Sequence, residues 1–421
     1  MMMLMLDSTS IHAHARSSVL TVVSYDLELD FNGGPDTFSS RAEIRFRANR
    51  PGVSSFADLL AAGVRRAVLN GVRLDSGASC HDGHLPLPDL ARENLLVVEA
   101  DMYYTTAEAG LHRVREANGS DCVYGKGYPD GARRIYCCFD QEDLRAPFTV
   151  SINAPAGWSC LANGPLASRP AGDAAGAWRF AATQPLAPFL SSFCAGNYAS
   201  SAFSCPRDDE PPVPVTVNAR PAMRESVNTL LRPELVSGPL RYYERVLAAA
   251  YPYLKCDLVF VPRYRPLAYG APGLMTIQEQ VLAKAADDTS GLYLAVVLAH
   301  ELAHAWFGGM FCTYESDGWL IEALTTYLSR RALGELHPGI DPWDASLSTE
   351  LPDHAYGEYA APVRQLAELI GTQAVLDGLT GLMRDRPHAC VTKGDVVRSW
   401  SRAAGRDLRA WAAETLVPAV G

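Results

Sequence analysis

The sequence predicts a multidomain α+β protein in which a β-rich amino-terminal domain precedes a mainly helical one. Three observations predict it. From Val19 to about Pro206, short apolar or alternating runs stand between Gly, Pro, Asn and Asp punctuation. From Ala222 to Ala250, and again after Ser290, the apolar residues recur at helical spacing. Cys205 to Pro214, rich in proline and acid, separates the two patterns and reads as a linker. A chain of 421 residues is too long for one ordinary core, and a hydrophobic fraction of 48% is that of a globular protein.

Taken in order, residues 1–18 read as a flexible tail. Met1 to Leu6 is apolar, but it lacks the basic region and the long hydrophobic core of a signal peptide. The amino-terminal domain, residues 19–205, is expected to hold strands over Val19 to Phe31, Ser40 to Ala48, Asn94 to Ala100, Phe148 to Ile152 and Ala177 to Phe180. In residues 206–421 the pattern predicts helix over Ala222 to Ala250, a strand over Leu258 to Pro262, and helices broken by Gly and Pro after Ser290. There are no internal repeats.

His300-Glu301-Leu302-Ala303-His304, inside the apolar run Gly291 to Phe311, carries the chemistry. On a helix the two histidines, four apart, share one face, and Glu301 lies beside them within reach of a water on a shared metal. A catalytic zinc takes three protein ligands and leaves its fourth position open. Glu322 supplies the third: it sits on a second helical stretch beginning near Trp319, whose stripe of Leu320, Ala323, Leu324 and Tyr327 can pack on the first helix. Glu315, in the intervening turn, is the rival carboxylate, and Cys312 a weaker rival still. The two histidines could also be half-buried core residues. A β-strand region followed by helices around His-Glu-x-x-His is a thermolysin-like arrangement.

These residues resemble the zinc aminopeptidases that include aminopeptidase N and leukotriene hydrolase. His300 to Gly309 is similar to that family's zinc helix, and Trp319-Leu320-Ile321-Glu322 to its third-ligand segment, with a connecting loop, Ala305 to Ile321, one residue shorter than usual. Tyr25 to Leu29, Ala132-Arg133-Arg134 and Cys138 to Arg145 resemble its amino-terminal domain, which implies a saddle-like shape. Tyr251-Pro252-Tyr253 and Val259 to Pro262 match the lead-in to its substrate edge, and Ala404 to Leu408 with Trp411 the end of its catalytic domain. The resemblance implies one Zn2+ per chain on His300, His304 and Glu322, Glu301 as general base, and Tyr356 as the tyrosine that supports the oxyanion, with Tyr359 as its rival. The chain then stops where the family commonly continues into a helical cap, which implies an uncapped cleft open to self-association or to a partner protein.

One departure bears on specificity. Laid without gaps, Leu267 to Ala271 covers the segment in which the family holds the substrate's α-amine, placing Tyr269, Gly270 and Ala271 along the cleft and Gly270 where the family has its glutamate. The second amine partner corresponds to Tyr128, with Lys126 two residues earlier. An ammonium group taken out of water needs acceptors, and glycine and tyrosine do not supply that charge. Lys126, Arg263 and Arg265 would turn the rim cationic if they face the cleft, favouring an anionic substrate. Glu279 and Glu358 are the acids that could replace the lost amine site.

The implied activity is hydrolysis of an amide or peptide bond without general aminopeptidase activity. The alternatives are epoxide or ester opening on a small molecule, and a catalytically silent scaffold. A net charge of −10 argues against nucleic acid as the main partner, since phosphate binding wants a basic surface. No run is apolar and long enough to span a membrane, and the expected location is the cytoplasm. Ten cysteines show no paired C-x-x-C spacing and read as small buried hydrophobes.

Overall fold

The computed structural model describes residues 16–75, 83–106, 109–115, 121–128, 130–207, 210–344 and 359–416. The chain divides into two compact units between Ala199 and Ser200.

The first unit is built on an eight-stranded sheet. Its central strand, Leu20–Asp30, pairs antiparallel with Thr37–Ala48 and parallel with Phe148–Ala154. Leu20, Val22, Tyr25, Leu27 and Leu29 point into the core; the step from Val22 to Tyr25 breaks strict alternation because the register slips between Val22 and Ser24. Such a bulge resets which face an apolar side chain takes. Tyr25 stacks on Phe148 across the parallel pair, with ring centroids 4.4 Å apart, and its hydroxyl accepts the Phe139 amide at 3.1 Å. Glu93–Tyr103 and Gly176–Phe180 extend the sheet on either side, so all five expected strands are present. The unit also holds a four-stranded sheet of Ser159–Ala162, Phe193–Gly196, Asp121–Lys126 and Gly110–Arg115, and a two-stranded one of Ser55–Asp58 and His84–Leu87.

The segment expected as the linker does not fall at the division between the two units. Cys205 to Pro214 falls inside the second unit, between the strands Ala199–Cys205 and Val213–Ala219, which are neighbours in one sheet. A proline-rich turn has the same composition whether it joins two strands or two domains. That sheet has five strands, in the order Ala199–Cys205, Val213–Ala219, Cys256–Val261, Leu274–Gln278, Ala268–Ala271. Only Cys256–Val261 matches a strand read from the sequence. The three central strands are parallel to one another, and the last runs antiparallel along the edge. It returns through Pro272-Gly273, where Gly273 takes φ 72°, a left-handed value that glycine adopts without strain.

Helices cover the sheet. The predicted Ala222 to Ala250 helix is two, Arg224–Leu230 and Glu234–Leu247, separated at Arg232-Pro233. The core packs Leu298, Leu302, Trp306, Leu324, Leu328 and Trp400 together, each nearly inaccessible. Two helices of this core, Tyr293–Ala303 and Gly318–Leu336, carry the residues of interest.

Candidate metal centre

The Tyr293–Ala303 helix is apolar nearly all round, and of its eleven residues only Glu301 is not buried. A helix of that kind is a core element, so a polar residue on it is held in place by its surroundings rather than by solvent. Its amino terminus is tied by Asp288, whose carboxylate accepts the Tyr293 amide at 2.8 Å. His300 is 6% exposed, and His304 closes the carboxyl end one turn later. Their rings stand 5.0 Å apart and nearly perpendicular.

Glu322, one turn into the Gly318–Leu336 helix, faces both histidines. Its Oε2 lies 3.3 Å from His300 Nε2 and its Oε1 3.7 Å from His304 Nε2. The ligand atoms of the three residues lie within 4.8 Å of one another, and they form the single such group among the described residues. Glu322 Oε2 is buried without a hydrogen bond among those residues. An orphaned carboxylate oxygen between two imidazole nitrogens fits a cation, and two nitrogens with one oxygen fit zinc. Burial opposes ionisation of Glu322, but His304 and His300 outweigh it and hold the carboxyl below its ordinary range. Glu315 belongs to the short 3-10 turn ahead of this helix. Cys312 lies opposite Cys390 across two short parallel strands and is not in the metal group.

Glu301 lies beside the trio. Desolvation pushes its carboxyl up to about 7, the Glu322 charge adds to the rise, and His304 and the Gly270 amide oppose it. Gly270 thus sits against the proposed base. A β-carbon placed there would come within 3.0 Å of Glu301 Oε2 and 3.1 Å of His304 Cβ, and closer still to the Glu301 carbonyl oxygen. Tyr269 and Ala271 flank it on the edge strand, half-buried and buried respectively. The sequence marked Gly270 as a missing glutamate; the structure adds that the strand approaches the helix too closely for a side chain.

The other expected site residues are placed as follows. Tyr356 and Glu358 lie outside the described residues; Tyr359 packs against the core of the second unit. Glu279 is engaged by Arg220, whose Nε donates to its Oε1 at 2.7 Å, so it is no spare acid. Arg263 and Arg265 are exposed on the loop after Cys256–Val261. Lys126 and Tyr128 belong to the first unit, Lys126 buried and Tyr128 44% exposed with its ring edge against Phe189.

The profile of the peptidase family M1 domain matches residues 233–356, a span that contains Gly270, His300, Glu301, His304 and Glu322. Aminopeptidase N of Streptomyces lividans is 28% identical over 95% of this chain. The chain's matches thus lie in the M1 peptidase family, among aminopeptidase N-like proteins. A leucyl aminopeptidase of Saccharolobus solfataricus is 24% identical over 68% of this chain and 41% of its own length. The crystal structure of Legionella pneumophila aminopeptidase A in complex with aspartic acid superposes with a TM-score of 0.82 at 18% identity, over 94% of this chain and 49% of that one. The chain spans about half the length of the Streptomyces relative, or 50%.

Proposed function

We propose that this chain is an M1-type, zinc-dependent hydrolase of amide or peptide bonds. The observation that carries it is the convergence of His300 Nε2, His304 Nε2 and a Glu322 oxygen within 4.8 Å, with one buried carboxylate oxygen left unbonded. A zinc ion held there would polarise a carbonyl and make water more acidic. Glu301 then takes the proton from the attacking water and returns it to the leaving nitrogen; a carboxyl near 7 suits both halves of that exchange. Tyr356, on its resemblance to the family's tyrosine, donates a hydrogen bond to the developing oxyanion. Recognition of a free α-amine is not part of the proposal, because Gly270 brings no acid to the cleft and Glu279 is already paired with Arg220. Amino-blocked or anionic peptides and small molecules are the favoured substrate class. The proposed site of action is the cytoplasm. Separately, no helix among the described residues is long and apolar enough to cross a membrane.

Elemental analysis after mild dialysis tests the metal: one zinc per chain is expected, and less than about a tenth of an equivalent after zinc is added back sinks the assignment. A matched panel of free-amine, acetylated and acidic peptides tests the substrate class. Efficient cleavage confined to the free-amine members would show that the amine site is rebuilt from other residues.

A further inference from the structure

Both nitrogens of His304 are addressed by the Gly318–Leu336 helix. Nε2 faces Glu322 Oε1 at 3.7 Å, and Nδ1 lies 3.4 Å from Thr325 Oγ1. Glu322 and Thr325 are three residues apart and so share a face of that helix, which brackets the imidazole between them. A second contact to Nδ1 comes from within the loop that follows His304, where the Phe307 carbonyl oxygen lies at 3.1 Å.

The two contacts at Nδ1 have different consequences. A carbonyl oxygen can only accept, so the Phe307 contact puts the ring proton on Nδ1 and leaves the Nε2 lone pair for a metal. That sets the tautomer. It does not set the ring plane, because a single acceptor three residues along the chain leaves the imidazole a range of tilt. Thr325 supplies a second acceptor from a separate helix. Its side chain is fully buried, and His304 Nδ1 is the one hydrogen-bond partner of its hydroxyl among the described residues. A threonine hydroxyl in a helix commonly turns back to the carbonyl four residues earlier. Here it faces the histidine instead.

We infer that Thr325 is a positioning residue for the metal centre, holding the His304 ring so that Nε2 points at the ion that Glu322 also binds. The inference rests on the zinc assignment above, and it adds a link between helix docking and ligand geometry. Any movement of the Gly318–Leu336 helix that withdraws Glu322 also withdraws Thr325 from Nδ1, leaving only the Phe307 carbonyl there, so the second and third ligands are ordered together. The competing role is plain core filling, which needs the shape of the side chain and not its hydroxyl.

Valine keeps the shape and removes the hydroxyl; serine keeps the hydroxyl and removes a methyl. Zinc affinity of the full chain is measured by chelator competition for wild type, T325V and T325S, with the visible spectrum of the cobalt-loaded forms as a readout of ligand geometry. Loss of an outer partner of a metal-bound histidine typically weakens binding about 10- to 100-fold. T325V is expected to fall in that range with an altered cobalt spectrum, while T325S stays within about threefold of wild type. A T325V affinity within twofold of wild type, with an unchanged spectrum, overturns the inference; so does equal loss in both variants, which would mark packing as the cause. Should T325V fail to fold, T325A against T325S makes the same comparison. A wild-type chain that binds no zinc removes the zinc assignment itself, a result distinct from either.

Discussion

Gly270 offers the sharpest test of how the site is built. Replacing it with alanine adds one methyl group, and in the structure that carbon meets Glu301 Oε2 at 3.0 Å, His304 Cβ at 3.1 Å and the Glu301 carbonyl oxygen at a still shorter distance. Ordinary contacts of such atoms begin near 3.5 Å, so the edge strand Ala268–Ala271 and the Tyr293–Ala303 helix must separate by a displacement on the order of 1 Å. The side chain of Glu301 could swing away, but its carbonyl is fixed in the helix. Overpacking of this kind costs about 1–3 kcal/mol, which for a unit of this size lowers the melting temperature by several degrees. Turnover should suffer more than stability, because a shift of about 1 Å at the base can cost on the order of a hundredfold.

The assay compares G270A with G318A, a position where an added carbon meets nothing within 4 Å, by thermal melting, zinc content and hydrolysis of the best substrate found. A second variant, G270E, restores the residue type that the family uses to hold an amine. It should melt lower than G270A and gain no activity on amino-acid arylamides, since the longer side chain has no room to leave the strand. G270A indistinguishable from wild type in both melting and turnover would refute the close approach; G270E acquiring aminopeptidase activity would show that the glutamate is simply missing rather than sterically barred.

Three further outcomes follow from the geometry. E301Q should keep its zinc and lose turnover by about a hundredfold or more, since glutamine preserves size while removing the base; wild-type turnover in that variant would displace Glu301 from its role. Chelation should lower the melting temperature of the second unit, by an amount that corresponds to about 4 kcal/mol when free zinc exceeds the dissociation constant about a thousandfold; a melt indifferent to chelator would show that the metal adds nothing to the folded state. In the first unit, burial pushes the Asp140 carboxyl up to about 7 from an ordinary 3.8, with Asp58 and Asp130 adding to the rise. The folded state then holds a proton there that the unfolded chain has released, so its contribution is present below pH 4 and lost as the pH rises to about 7, at up to about 1.4 kcal/mol per unit. Asparagine cannot lose that proton, so D140N should gain stability over wild type between pH 5 and pH 8 in urea titrations. A constant difference across that range would contradict the shift.

Much of the fold was legible where the physics is local. The strands of the first unit face core on one side, so Tyr25, Leu27 and Leu29 alternate with polar residues and the pattern survives even a bulge at Val22 to Ser24. The second unit's sheet was mostly hidden for the opposite reason. Its central strand Cys256–Val261 is buried at every position, and its neighbour Leu274–Gln278 at all but the last, so neither alternates, and a continuous apolar run is shared by buried strands and buried helices alike. The proline-rich reading of Cys205 to Pro214 takes in the first two residues of Val213–Ala219, and the short remainder carries too few apolar residues to mark a strand by itself.

The convergence of His300, His304 and Glu322 was legible for a related reason: His300, Glu301 and His304 lie within about one helical turn, and Glu322 lies one turn into a helix whose apolar stripe shows which way it faces. The groups in contact with His304 Nδ1 leave no comparable mark. The Phe307 carbonyl belongs to the backbone, which every residue shares, and Thr325 sits among Leu324, Thr326 and Tyr327 as one more buried residue until the second helix is docked. Gly270 lies between these cases. Its identity could be read from the sequence as the loss of an acid, but its closeness to Glu301 depends on where the Pro272-Gly273 turn returns the edge strand, which is a tertiary fact. The same glycine therefore carries two separable claims: that no amine-binding acid is present, and that none can be put back without moving the strand. The first concerns specificity and the second architecture, and the G270A and G270E pair divides them, because a gain of aminopeptidase activity bears on one while the melting temperature bears on the other.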